Sequence, residues 1–224
     1  SSWAPGSMYS VLDSVLDTAR LIEELNSPLV SIIGHSYGAA VSFLFAGFYP
    51  ERVKKLVLIE GGGLVSSRMG MTRSEPIWER IPKWIDAVRS TEKRSRSSFK
   101  SISDAEARIR KRLPFLSDDQ IRHLAYHGVT SNDDGTYSWK YDELSKILSP
   151  IRFDVKDIEG LYKRIRCPVL FLYGSKGWAG DPLDKKENSY SPLMTSAQIP
   201  EAGHWPHHEC FDAFVKSVAP FLNE

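Results

Sequence analysis

The sequence predicts an α/β protein: a mainly parallel sheet with helices on both faces, interrupted by an inserted helical segment. Three observations carry this expectation. Strand-like apolar runs alternate with helical runs up to Glu60, the same alternation returns after residue 164, and the stretch between is polar and helix-patterned.

From Tyr9 to Asn26, apolar residues recur at Leu12, Val15, Leu16, Ala19 and Ile22, the spacing of an amphipathic helix, which Asn26-Ser27-Pro28 stops. Leu29-Val30-Ser31-Ile32-Ile33 follows as a β-branched run ending at Gly34, the pattern of a buried strand. Ala39 to Tyr49 is apolar nearly all round and closed by Pro50, and Val53 to Glu60 is a second strand of the buried, parallel type. After Gly61-Gly62-Gly63 the pattern changes. Residues 65–164 read as helices, with capping boxes expected at Ser103 to Glu106 and at Ser117 to Gln120. The strand pattern resumes with Pro168 to Gly174 and, more weakly, Met194 to Ile199, and an amphipathic helix from about His208 to Leu222 closes the chain. The expected organisation is a sheet domain made of 1–64 and 165–224, split by an inserted subdomain of 65–164. The basic run from Arg89 to Arg112 within the insert reads as a solvated helix face.

Lysine and arginine number 29 against 28 aspartates and glutamates, so no global field recruits nucleic acid or an anionic membrane. No apolar run approaches a bilayer span. Cys167 and Cys210 match no metal-ligand spacing and read as two buried thiols, which fits a reducing, cytoplasmic compartment. Neither a metal nor a cofactor is expected.

Gly34-His35-Ser36-Tyr37-Gly38 matches G-x-S-x-G and stands between an expected buried strand and an expected helix, the context that gives the motif meaning. A sharp, strained turn there lifts the serine hydroxyl above the sheet, and the two glycines let neighbouring backbone pass. Tyr37, first in the following helix, offers its backbone N–H to a developing oxyanion. The serine needs an imidazole to take its proton. Of six histidines, His204 in Gly203-His204-Trp205-Pro206 follows the last strand and precedes the last helix, where a side chain reaches the carboxyl edge of the sheet. His35, inside the elbow, points away from the proton transfer and is assigned to the substrate side. His207 and His208 fall at the start of the closing helix.

The elbow, together with Tyr49-Pro50-Glu51-Arg52-Val53, Leu56-Val57-Leu58-Ile59-Glu60, the Pro168-to-Gly174 strand and the Gly203-His204 loop, resembles the α/β-hydrolase fold superfamily. Within it the chain is similar to the epoxide-hydrolase and dehalogenase-like branch and to the serine hydrolase-like proteins. The resemblance implies that the insert is the superfamily's variable cap. Ser36 argues against dehalogenase and epoxide hydrolase activity, because those relatives carry Asp there. The resemblance also implies several strands ahead of the Tyr9 helix, one of whose connections supplies a second oxyanion N–H. The chain begins Ser1-Ser2-Trp3 without them, so its own missing N-terminal segment is an expected partner for an otherwise open sheet edge.

Many superfamily members place the acid that orients the histidine three residues past the glycine ending the strand at Gly174, where this sequence has Gly177. Two candidates remain. Glu60 ends an apolar strand, so its carboxylate emerges at the active edge or is buried at a cost, and some members of this branch use that place for the acid. Asp181, in Gly180-Asp181-Pro182, is the alternative. As purely structural groups, Glu60 would bind the amides of the glycine turn and Asp181 would be a turn residue. Glu60 is favoured.

These residues predict a serine hydrolase acting on an ester or related acyl substrate through an acyl-enzyme on Ser36. The substrate is expected to be a small apolar molecule, contacted by His35, Trp178 and Trp205 and sheltered by a cap carrying Trp78, Trp84 and Trp139. The alternative is a non-catalytic or weakly catalytic ligand-binding protein of the same fold.

Overall fold

The computed structural model describes residues 3, 7–62, 75–94, 96–147, 149–151, 153–183 and 193–223. Gly63 and the expected boundary at 64/65 lie outside the described residues. The chain divides into two compact units, one formed by Ser10–Pro76 with Ile151–Glu224 and the other by Ser1–Tyr9 with Ile77–Pro150.

The first unit opens with α1, Val11–Glu24, set by a capping box in which Ser10 Oγ accepts from the Asp13 N–H and the Asp13 carboxylate accepts from the Ser10 N–H. Val11, Val15 and Ile22 are its buried face, while Leu12 and Leu16 stay exposed. β1, Val30–His35, runs into α2, Tyr37–Phe48, followed by β2, Val53–Ile59.

The second unit holds α3, Ile77–Glu92, β3, Ser98–Phe99, α4, Ile102–Arg112, α5, Asp118–Gly128, β4, Val129–Ser131, and β5, Tyr137–Trp139. The capping box expected at Ser103 to Glu106 is replaced by one two residues earlier, Ser101 with Asp104, because Ser101 has the extended backbone a cap needs. The box at Ser117 and Gln120 is present. β3, β5 and β4 form an antiparallel sheet that the helical reading of this segment omitted. Strands of two or three residues are too short to show a period of two. Its turn was nonetheless signalled: Asn132-Asp133-Asp134-Gly135 lies between β-branched and aromatic residues, and Gly135 takes φ +79°. Phe99, Trp139 and Tyr137 pack there on Ala105, Ala125 and Val129, so Trp139 serves this unit's own core. Trp78 is 74% exposed.

Back in the sheet unit come α6, Val155–Arg164, β6, Val169–Gly174, β7, Met194–Ile199, α7, Pro206–Glu209, and α8, Phe211–Asn223. The closing helix is thus broken at Cys210 into a short and a long piece. α6, which the expected boundaries assign to the insert, contributes Ile158, Leu161 and Tyr162 to the main core beside Phe43. Its capping box resembles those at Ser101 and Ser117 in the insert, so local pattern alone does not separate them.

All pairs in the four-stranded sheet, in the order β1-β2-β6-β7, are parallel. Alternation along β2 and β6 divides the core in two. Leu56, Leu58, Val169 and Phe171 face the cluster built with α1, α2 and α6. Val57, Ile59, Leu170 and Leu172 face Ala213, Phe214 and Val218 of α8. Helices cover both faces, which is why these strands read as continuous apolar runs. Cys167 is buried, its thiol pushed up to about 11 by desolvation; Cys210 is partly exposed, contrary to the expectation of two buried thiols. No helix among the described residues is long and apolar enough to cross a membrane.

Candidate active site

The register of the sheet assembles the site. His35 pairs with Ile59, and Ile59 with Leu172, so the next residues, Ser36 and Glu60, emerge side by side at the carboxyl edge. Ser36 N–H donates to Ile59 O at 2.8 Å and Glu60 N–H donates to Leu172 O at 2.8 Å, which extends the ladder one step beyond the strands.

Ser36 sits at φ 52°, ψ −114°, a conformation that costs a non-glycine residue about 1–3 kcal/mol. The turn is tight enough that a Cβ on Gly34 would stand 2.5 Å from Ser42 Oγ and 2.6 Å from Gly38 O. Gly38 differs: nothing lies within 4 Å of a Cβ there, so its part in making room, expected from the motif, is not required. Tyr37 opens α2, where a backbone N–H has no acceptor within the helix.

His204 lies on the loop between β7 and α7. Glu209 pins that loop on both sides of the histidine, accepting from Gly203 N–H at 2.7 Å and Trp205 N–H at 2.8 Å. His35 holds it from below, with Nε2 2.6 Å from His204 O. A carbonyl only accepts, so His35 Nε2 carries a proton. Burial lowers the His35 pKa, which keeps this ring in its neutral form at pH 7. His35 therefore props the loop through this hydrogen bond. Trp205, also expected on the substrate side, packs against His35 and stacks on His207 at 6.0 Å.

His204 Nε2 is 2.9 Å from Ser36 Oγ. Nδ1 is 3.3 Å from Glu60 Oε2. Glu60 is 1% exposed, and Gly174 N–H donates to its Oε1 at 2.8 Å while Ala179 N–H lies 3.4 Å from Oε2. Among the described residues, its amide neighbours come from β6 and the loop beyond it. Gly177 makes room for it: a Cβ at 177 would stand 2.6 Å from Glu60 Cδ and collide with Oε1. Asp181 is turned elsewhere, accepting from Ser196 Oγ at 3.0 Å, Tyr173 OH at 3.3 Å and Leu183 N–H at 2.9 Å. Trp178 covers the imidazole, ring centroids 5.5 Å apart, and its indole Nε1 is 2.6 Å from His204 Nδ1.

The Glu209 clamp and the His35 prop were not expected from sequence. A glutamate in the turn after Pro206 is a capping-type signal that could have found the first. The second depends on a contact 169 residues apart and left no local trace. No group of three or more His, Cys, Asp or Glu among the described residues is placed to hold a metal.

A parallel sheet covered by helices on both faces, with a serine on a strained strand-to-helix turn and a histidine on the loop after the last strand, defines the α/β-hydrolase fold. The chain belongs to the alpha/beta hydrolase family, whose profile matches residues 2–217. It is 42% identical over 224 residues to a putative 2-succinyl-6-hydroxy-2,4-cyclohexadiene-1-carboxylate synthase of Bacillus subtilis, covering 97% of this chain and 74% of that protein. It is 24% identical over 233 residues to a mouse (lyso)-N-acylphosphatidylethanolamine lipase, covering 88% of this chain and 60% of the lipase. Among curated relatives of the lipase and serine hydrolase-like kind, the chain spans between 52% and 65% of their length. A hypothetical protein of Pseudomonas aeruginosa shares the fold with a TM-score of 0.83 at 22% identity, over 99% of this chain and 77% of its own.

Proposed function

We propose that this protein is a serine hydrolase that cleaves an ester or related acyl substrate through an acyl-enzyme on Ser36. The observation that carries the reading is the 2.9 Å contact between Ser36 Oγ, held on its strained elbow, and His204 Nε2, whose ring is backed by the buried Glu60 carboxylate. In the first half-reaction, Ser36 Oγ attacks the substrate carbonyl carbon while His204 Nε2 takes the hydroxyl proton. Glu60 stabilises the imidazolium, and the Tyr37 backbone N–H faces the oxyanion. The tetrahedral intermediate collapses, its leaving group takes the proton from His204, and a water activated by the same imidazole hydrolyses the acyl-enzyme. Membership in the family and the lipase name of one relative support acyl chemistry; the synthase name of another leaves the substrate to experiment.

A fluorophosphonate probe tests the proposal without a known substrate. Labelling should map to Ser36 and vanish in Ser36→Ala. A folded protein that is not labelled would favour a ligand-binding role for the same fold.

A further inference from the structure

His204 Nδ1 has two neighbours that make opposite demands. The Trp178 indole only donates and stands 2.6 Å away with its N–H directed at the nitrogen. The Glu60 carboxylate only accepts and stands at 3.3 Å. If Nδ1 is bare it takes the indole proton; if it is protonated it serves Glu60 and faces the indole N–H head on. A neutral imidazole has one N–H, so the choice at Nδ1 also fixes Nε2. With Nδ1 accepting from Trp178, the ring proton lies on Nε2, and the contact with Ser36 runs from His204 to the serine oxygen. Nε2 then has no lone pair with which to accept the serine proton.

We propose that Trp178 locks His204 in the tautomer that cannot act as a base, and that activation of Ser36 begins when the indole releases Nδ1 to Glu60. This rests on the roles given above to Ser36, His204 and Glu60. The distances favour the locked form, since the indole contact is shorter by 0.7 Å (3.3 − 2.6) than the carboxylate contact. On release, Nδ1 faces a Glu60 carboxylate already anchored through Oε1 by the Gly174 N–H. The proton balance is closed: the ring gains a proton at Nδ1 and loses one from Nε2, both exchanged with water at a side chain that is 29% exposed. Trp178 is itself 37% exposed on the loop after β6, within reach of a ligand arriving from solvent.

The test is Trp178→Phe, which keeps an aromatic ring over His204 and removes the N–H. In protein labelled with ¹⁵N-histidine, the His204 signals are identified by their loss in His204→Gln. Wild type should show a pyridine-type Nδ1 and a pyrrole-type Nε2, and Trp178→Phe should reverse that pattern. Fluorophosphonate labelling of Ser36 should become about two- to tenfold faster, the factor expected for one hydrogen bond. An unchanged tautomer, a pyrrole-type Nδ1 in wild type, or a Ser36 that is labelled in both proteins but no faster in Trp178→Phe would overturn the lock. If thermal melting shows Trp178→Phe to be unfolded, benzothienylalanine at 178, with sulfur in place of the N–H, carries the same expectations. Reversal of the tautomer with Ser36 unlabelled in both proteins would keep the lock and sink the hydrolytic reading. Equal labelling with no reversal would do the opposite.

Discussion

Glu60, proposed as the acid that orients His204, and a side chain at position 177 compete for one space, so the proposed role can be moved. Glu60→Gln replaces a buried carboxylate that accepts from Gly174 and approaches Ala179 and His204. If the amide oxygen keeps the Gly174 bond, the amide nitrogen faces the Ala179 N–H and Nδ1, so the negative charge is lost and the wrong tautomer is favoured. Loss of the orienting carboxylate in a serine triad lowers turnover by about 10⁴-fold, and a buried donor left unpaired costs about 1–3 kcal/mol of stability. Gly177→Asp by itself should also inactivate, because its Cβ displaces the Glu60 carboxylate. The double variant Glu60→Gly, Gly177→Asp should do better than Glu60→Gly alone. The Cβ at 177 would stand 2.8 Å from the present position of Oε2, so an aspartate oxygen two bonds farther on reaches the region facing Nδ1. Glycine at position 60 also relieves its φ of 49°. A coupling of about 1.4–3 kcal/mol corresponds to roughly 10- to 150-fold recovery. The assay is the second-order rate of fluorophosphonate labelling at Ser36, with melting curves to confirm folding. Glu60→Gln within tenfold of wild type, or a double variant no faster than Glu60→Gly, would refute the reasoning.

Asp181→Asn should keep labelling within about tenfold of wild type, its effect falling on stability through Tyr173, Ser196 and Leu183; a larger loss than for Glu60→Gln would transfer the orienting role. Gly34→Ala should destabilise by about 1–3 kcal/mol because its Cβ has no room, whereas Gly38→Ala should stabilise by about 0.5–1 kcal/mol as a helix substitution, both read by urea denaturation. Burial, then the neighbouring imidazoles, lower His207 from 6.5 to about 4. The unfolded chain therefore binds a proton more readily, and stability present above pH 6.5 is lost as pH falls towards 4. The side chain is only half-buried, so the loss is smaller than for an enclosed imidazole. His207→Gln should flatten the stability difference between pH 7 and pH 5, and parallel curves for the two proteins would contradict the assignment.

Much of this was written locally. The G-x-S-x-G turn lies between a β-branched run and an apolar helix, and both strands and helix follow from periodicity because each side chain's burial repeats with its backbone. Glu60 was legible as a polar residue ending an apolar strand, and the β1–β2 register then sets it beside Ser36. What the sequence could not decide is which groups separated by more than a hundred residues share an atom. The space left by Gly177 for the Glu60 carboxylate, the His35 bond to the His204 carbonyl and the rival claim of Trp178 on Nδ1 depend on loops from β1, β2, β6 and β7 meeting at one edge. The contact of His35, placed by sequence on the substrate side, with the His204 carbonyl has the same origin. Periodicity reports which face a residue occupies, while hydrogen-bond partners at angstrom precision are set by packing between segments, and that exists only in the folded chain.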